Sequence, residues 1–318
     1  MKPLAPRRKA WSARYAAVDI GSNAVRMLIA DVIRRRDKLY FREQSRMRIP
    51  LRLGGEVFQG RRLSRRTVAQ VVRVLKAFRE LQSVFAVDEA LGCATSAVRE
   101  AANGASLIRS IRAEVGLEMH VISGTEEADL IFSSYVAQCP EPDRPYLLFD
   151  LGGGSTEVAF YREGRSVAAQ SFAVGAVRGL ARRTSRKEWK RMGRWVSRMA
   201  AYHGGPVWQV VGSGGNVKDL LRLAGKKSDK ALSLKKLLSL RRTLRRLPVE
   251  RRIHDLKLGY DRADVIVPAT DIIVHLLQSA AASRLYGPRI GLLEGIIGRI
   301  YSEHYPSASP ARPLPAWL

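Results

Sequence analysis

The chain has 318 residues and an apolar fraction of 46%, which excludes wholesale disorder and predicts two domains or one duplicated unit rather than one core. Its 55 Lys and Arg against 29 Asp and Glu leave a net charge of +26, so polyanionic partners such as nucleic acid, anionic lipid or polyphosphate are expected. Two cysteines without CxxC spacing and five scattered histidines without HExxH argue against a disulfide framework and a zinc site.

The basic segment Met1 to Tyr15 leads into an apolar run that Asp19 interrupts, so it does not read as a signal peptide. No run approaches the roughly 18 apolar residues of a membrane span. Tyr15 to Asp19, Val25 to Asp31 and Lys38 to Met47 read as three strands joined by short turns, followed by a loop with Gly54 and Gly55. Ser64 caps a long helix whose apolar positions Val68, Val71, Val72, Leu75 and Phe78 recur at helical spacing. A strand over Glu89 to Thr95, a helix over Gly104 to Val115, a strand over Met119 to Ile122 and a helix over Gly124 to Ala137 follow. Gln138 to Pro145, with three prolines, marks a boundary.

The pattern then restarts with strands over Tyr146 to Asp150, Val158 to Tyr161 and Ser166 to Phe172. Helices, a strand over Val207 to Val211, basic helices over Ser233 to Arg246 and apolar helices from about Asp264 and about Gly291 close the chain. The expected lobes are 1–137 and 138–305, the second with a basic helical insert, and the Pro-rich tail 306–318 is expected to be loose. The last helix, about 291–304, is free to pack back on the first lobe. Ala181 to Lys257 holds 22 basic and 5 acidic residues, a net +17. That stretch reads as a solvated surface or as a substrate path leading from a cleft.

Ala16-Ala17-Val18-Asp19-Ile20-Gly21-Ser22-Asn23 and Leu147-Leu148-Phe149-Asp150-Leu151-Gly152-Gly153-Gly154 share one plan, 131 residues apart. Each is an apolar strand, an Asp, one apolar residue and a small-residue loop into a returning strand. The repeat predicts two lobes facing a cleft. The glycines of the second loop let successive amides converge on an anion without a Cβ in the way, and Ser155 and Thr156 add hydroxyls. Asp150 can ligate a hard cation such as Mg²⁺, and Glu157, seven residues on, is a second candidate ligand. The alternative is a tight hairpin that needs glycine for its turn. Gly212-Ser213-Gly214-Gly215-Asn216, between a strand and a helix, suits an anion at a helix N-terminus. Ser123-Gly124-Thr125-Glu126 reads as a capping box; otherwise Glu126 or Glu127, at the lobe junction, takes a proton from a water attacking phosphorus. Arg99, just past a strand end, suits a phosphate or a surface ion pair.

Seven segments in order resemble the exopolyphosphatase/guanosine pentaphosphate phosphohydrolase (Ppx/GppA) family, covering about residues 15 to 300. They are Ala17 to Asn23, Ala94 to Ala101, Ile122 to Ala128, Phe149 to Glu157, Gly175 to Arg178, Val211 to Gly215 and Arg262 to Ile266. The resemblance implies an α/β chain of two ribonuclease-H-like lobes of the actin/Hsp70/sugar-kinase superfold, with the active site in the interlobe cleft. It implies release of terminal orthophosphate from polyphosphate, or of the 5′ γ-phosphate of pppGpp, with a divalent metal, Mg²⁺ or Mn²⁺. By position, Glu126 resembles the catalytic base, and Asp150 and Glu157 the metal-associated carboxylates, with Asp19 at the matching place of the first repeat. Ser22, Asn23, Arg99, Gly152, Gly153, Gly154, Ser155 and Gly214 fall on phosphate contacts.

Departures are Ala24, where a polar residue is usual, and Leu293, where many members have arginine. The chain also stops after two lobes, without the helical C-terminal domains of longer members, which puts processive handling of very long chains in doubt. The expected partner is polyphosphate or another phosphate polyanion in the cytoplasm, with no specific nucleic acid, no membrane, and a homodimer left open. The rivals are a pppGpp hydrolase, an ATPase or kinase of the same superfold, and a non-catalytic polyanion binder. Retained carboxylates argue against the last.

Overall fold

The computed structural model describes residues 13–35, 38–136, 145–163, 165–181, 184–202, 209–226, 230–288, 291–304 and 316–317. Strands β1 (Ala13–Ile20), β2 (Val25–Arg35) and β3 (Lys38–Ile49) form an antiparallel meander. Helix α1 (Leu53–Gly60) stands where a loop was expected, because Leu53, Val57 and Phe58 recur at helical spacing and bury one face despite the two glycines. Helix α2 (Arg65–Val84) is capped by Ser64, whose Oγ accepts from Thr67 N at 3.1 Å. Strand β4 (Glu89–Ala94), helices α3 (Ser96–Glu100) and α4 (Gly104–Val115), strand β5 (Met119–Val121) and helix α5 (Gly124–Val136) complete this half. Of the expected linker 138–145, all but Pro145 lies outside the described residues.

The second half opens on the same meander: β6 (Tyr146–Leu151), β7 (Thr156–Arg162) and β8 (Arg165–Phe172). Helices α6 (Ala176–Leu180) and α7 (Arg186–Tyr202), strand β9 (Gln209–Ser213), helix α8 (Gly215–Leu223) and strand β10 (Leu232–Ser233) follow. Then come α9 (Leu234–Arg246), α10 (Val249–His254), α11 (Tyr260–Ala263), α12 (Ile266–Ser279), β11 (Arg284–Tyr286) and α13 (Leu292–His304). Within the tail, expected to be loose, the described pair Ala316–Trp317 forms strand β12, parallel to β3.

The two sheets run β12-β3-β2-β1-β4-β5 and β10-β11-β9-β6-β7-β8. In both, the meander continues through its first strand into parallel pairing: β1 with β4, and β6 with β9. Strand residues alternate between two faces. Val18 and Ile20 share a core with Val71 of α2 and Ile111 of α4, as Leu147 and Phe149 do with Val196 of α7 and Ile273 of α12. On the opposite faces, Tyr15 and Ala17 of one sheet and Tyr146 and Leu148 of the other meet Phe132 of α5 and Ile296 of α13. Helices α5 and α13 are therefore a layer shared by both sheets, and α13 packs on α5, β1 and β4. Asp19 and Asp150, by strand parity, face this shared layer. No helix among the described residues is long and apolar enough to cross a membrane.

Candidate active site

A polar row crosses each meander at the same height. In the second sheet Asp150 on β6 lies opposite Glu157 on β7, with Ser213 on β9 beside Asp150 and Ser171 on β8 beside Glu157. Residues in register on adjacent strands share a face. Ser213 accordingly donates to Asp150 Oδ1, and Ser171 Oγ donates to Glu157 Oε1 at 2.8 Å. In the first sheet the row reads Asp19, Arg26, Arg48 across β1, β2 and β3. Arg26 Nε donates to Asp19 Oδ2 at 2.5 Å. Seven residues after the repeated aspartate, one half carries arginine and the other glutamate.

Helix α5 brings the third acid. Ser123 Oγ accepts from Glu126 N at 3.1 Å, and Glu126 Oε2 accepts from Ser123 N at 3.3 Å, which is a capping box. Successive helical residues project about 100° apart. Glu126 thus turns outward, 51% exposed and 3.7 Å from Arg299, while Glu127 turns inward and is buried. The residue expected from sequence as base, Glu126, is therefore held at the surface by the cap, and its neighbour Glu127 lines the site. Gly124 permits the approach of this helix, since a Cβ there would fall 2.3 Å from the Cβ of Ser171.

Glu127, Asp150 and Glu157 each offer a carboxylate oxygen within 4.8 Å of the others. Asp19 stands apart from this group, held by Arg26, with its Oδ1 buried and unpartnered. Burial raises all three acids of the triad above their ordinary values. For Glu127 the charges of Glu157 and Asp150 push in the same direction, and the shift is large. Glu157 is raised by burial and then by Asp150, to about 7. Asp150 is raised by burial, against the hydrogen bond from Ser213 and the charge of Arg26. Glu127 Oε2 and Glu157 Oε2 are buried without a hydrogen-bond partner. Three converging carboxylates with free oxygens suit a hard divalent cation, which would relieve both the mutual repulsion and the unmet hydrogen bonding.

Beside the triad lies a cavity of about 60 Å³. The loops bring Ser22, Asn23, Gly152, Gly153, Ser155 and Gly214 to it, together with Glu127 and Asp150. Gly154 instead lies beneath the loop, where a Cβ would meet Ser96, Phe58 and Ser22. Thr156, expected to add a hydroxyl, donates to Val174 O at 2.5 Å. Arg99 is not among the lining residues; its Nη1 donates to Ile122 O at 2.5 Å, just before the α5 cap.

Three arginines that were given no role from sequence line the cavity: Arg26, Arg48 and Arg262. Burial, and then repulsion from Arg48, lower the Arg262 guanidinium to about 10. Asp261 accepts from Arg48 and, at 3.2 Å, from Asn23 Nδ2, joining the two halves at the cavity rim. Aligning Arg26 with Glu157 through the repeat would have singled it out, and Arg262 opens one of the family-like segments; among 55 basic residues Arg48 carries no local signal.

The basic stretch Ala181 to Lys257 supplies Gly214, Gly215 and Asn216 to the cavity but, among the described residues, none of its lysines or arginines. Its helices α7 and α9 pack on the sheet face opposite the triad, which does not fit a path leading from the cleft. A larger groove of about 1310 Å³, lined by α1, α2 and α4 residues, holds no converging acids. Its Glu56 is spent on Ser64 and Thr67, and its Glu114 on Lys76.

The family model described as the Ppx/GppA phosphatase family matches residues 32–304. Over 171 residues the chain is 33% identical to Exopolyphosphatase 2 of Mycobacterium tuberculosis, covering 52% of this chain and 53% of that protein. Over 149 residues it is 30% identical to the Bifunctional 3-dehydroquinate synthase/phosphatase of Fusobacterium nucleatum, covering 45% of this chain and 22% of that protein. The matches therefore span about half of the first relative and about a fifth of the second. The crystal structure of the Aquifex aeolicus member of the Ppx/GppA family superposes with a TM-score of 0.72 at 26% identity, covering 92% of this chain and 98% of that one. An exopolyphosphatase from Cytophaga hutchinsonii superposes with a TM-score of 0.78 at 24% identity, over 91% of this chain and 97% of that one, and bears on the fold alone. The α/β fold of two actin-like lobes is the one these neighbours share.

Proposed function

Since the chain belongs to the Ppx/GppA phosphatase family, we propose that it is a metal-dependent exopolyphosphatase that releases terminal orthophosphate from inorganic polyphosphate by water attack. The observation that carries this reading is a cluster of three buried carboxylates beside one cavity of about 60 Å³, which two of them, three arginines and two small-residue loops line. A small cavity suits a terminal phosphoryl group better than a mid-chain one, which favours attack at a chain end. In this reading the substrate enters between lobes 1–137 and 138–305.

Asp150 and Glu157 would hold Mg²⁺, their orientation fixed by Ser213 and Ser171. Bound there, the ion would polarise phosphoryl oxygens and offset their charge. Glu127, made a stronger proton acceptor than an ordinary carboxylate by burial and then by the charges of Glu157 and Asp150, takes a proton from the attacking water. The water oxygen bonds to the terminal phosphorus as the bond to the bridging oxygen breaks, and the shortened chain leaves as the anion. Arg26, Arg48 and Arg262 stabilise the charge on the transferring group. Asp19 keeps Arg26 in place, and Arg99 holds the strand end that precedes α5.

The test is incubation of the purified protein with short polyphosphate, long polyphosphate, pppGpp and ATP, under Mg²⁺, Mn²⁺ or EDTA, with orthophosphate assayed. The expected result is release from polyphosphate that needs divalent metal. Release from pppGpp alone makes the protein a nucleotide 5′-phosphohydrolase, release from ATP alone an ATPase, and no release a binding protein.

A further inference from the structure

The glycine loop between β6 and β7 is pinned from below. Ala176 N donates to Gly152 O at 3.1 Å, and Val177 N and Arg178 N donate to Gly153 O at 2.8 and 3.0 Å. The next helix amide, Gly179 N, is committed to Gly175 O at 2.7 Å. The carbonyl of Gly154 is taken instead by the Arg178 side chain, whose Nε donates at 2.7 Å. The contact leaves no slack, since a Cβ on Gly175 would lie 2.4 Å from Gly153 O.

A planar trans peptide holds its C=O and the following N–H antiparallel, and no cis bond occurs among the described residues. Three carbonyls drawn toward α6 and Arg178 therefore turn the amides of Gly153, Gly154 and Ser155 the opposite way. Gly152, Gly153 and Ser155 line the cavity. The amides of Gly153 and Gly154 have no protein acceptor among the described residues. Arg178 does more than meet a carbonyl. It is buried, lies 3.9 Å over the Phe58 ring of α1, and pairs through Nη2 with Glu100 of α3 at 2.5 Å. One guanidinium thus ties the loop of the second sheet to two helices of the first half.

We propose that Arg178 is a positioning residue for phosphate capture: with the first turn of α6 it holds the loop carbonyls down, so that the loop amides face the anion. The inference rests on the proposed phosphohydrolase reading. Lysine keeps the charge but lacks the planar fork, so it cannot serve Gly154 O and Glu100 together while stacked on Phe58.

The experiment measures the Kd of inorganic phosphate by titration calorimetry, and the metal concentration for half-maximal orthophosphate release, in wild type, Arg178→Lys and Glu100→Gln. Displacing positioned groups by about 1 Å costs on the order of 10²-fold. Arg178→Lys is therefore expected to weaken phosphate binding by about 10- to 100-fold, with the metal requirement unchanged because the triad is untouched. Glu100, 41% exposed, tolerates Gln, which should weaken phosphate binding by a few-fold and decides the matter if Arg178→Lys does not fold. Unchanged phosphate affinity in the folded variants overturns the proposal, as does a metal requirement that moves in step with phosphate affinity. Wild type that binds phosphate but releases none from polyphosphate overturns the hydrolytic reading instead, and phosphate affinity in the variants still decides the role of Arg178.

Discussion

Glu127→Gln should destroy activity and raise stability at once, whereas Glu126→Gln should do neither. Removing a general base slows catalysis by roughly 10²–10⁴-fold. The stability gain follows from the triad. Two full charges within 4.8 Å of each other repel by roughly 3 kcal/mol or more at an effective dielectric constant of about 20. Glutamine keeps the shape and removes the charge. In EDTA at pH 8 the variant should therefore gain about 3 kcal/mol, or roughly 5–10 °C in Tm. Glu126→Gln retains the bond from Ser123 N and loses only a half-exposed contact with Arg299, worth less than about 1 kcal/mol. The assay pairs orthophosphate release with differential scanning calorimetry in EDTA. An active Glu127→Gln, or a Glu126→Gln that loses activity while keeping its Tm, would refute the inward assignment of Glu127.

Asp150→Asn should raise the metal concentration for half-maximal activity; an unchanged requirement in titrations would make Asp150 an acceptor for Ser213 only. The raised acids also set a pH dependence. The native state keeps protons that the unfolded chain has already lost, so metal-free stability should fall as pH rises from about 4.5 through about 7. Divalent metal should then raise Tm more at pH 8 than at pH 5, and a gain that shrinks with pH would count against a triad-bound cation. Because α7 and α9 lie on the far face of their sheet, apparent affinity should fall with salt at the same slope for short and long polyphosphate. A slope that steepens with chain length would return Ala181 to Lys257 to the substrate path.

Elements with strong periodicity or clear caps were legible in the sequence. The capped helix after Ser64, the helix Gly104–Val115 and both meanders stand within a few residues of their expected places. Helix α1 was hidden because Gly54 and Gly55 read as loop, and β11 because its three residues are too few to show alternation. Asp150 and Glu157 come together because their spacing around a tight hairpin puts them in register. Glu127 was passed over for its neighbour, since a capping box and a buried acid of the site ask for the same residue type one position apart. Only the direction of the side chain on α5 separates them, and that is set by tertiary packing. Arg26 lies seven residues past the repeated aspartate and Arg262 opens a family-like segment, but only the assembled strands and helix bring both to one cavity with Arg48.

The duplicated meander explains why one cavity carries both signs of charge. A phosphate held beside a cation needs acids for the metal and bases for its own oxygens. Two identical rows would give either two acid clusters, which repel the substrate, or two basic ones, which hold no metal. Here the repeats share the strand-end aspartate and differ at the next two strands: Arg26 and Arg48 in one, Glu157 and Ser171 in the other. The first row is left with a formal charge of +1, from Asp19, Arg26 and Arg48, and the second with −2, from Asp150 and Glu157. Divergence at those two places, set in register by one hairpin geometry, makes a symmetric scaffold into an asymmetric site. Glu127 comes from α5, in the layer shared by the two sheets. It is the one acid of the triad outside the repeated hairpin plan, and the one the repeat could not announce.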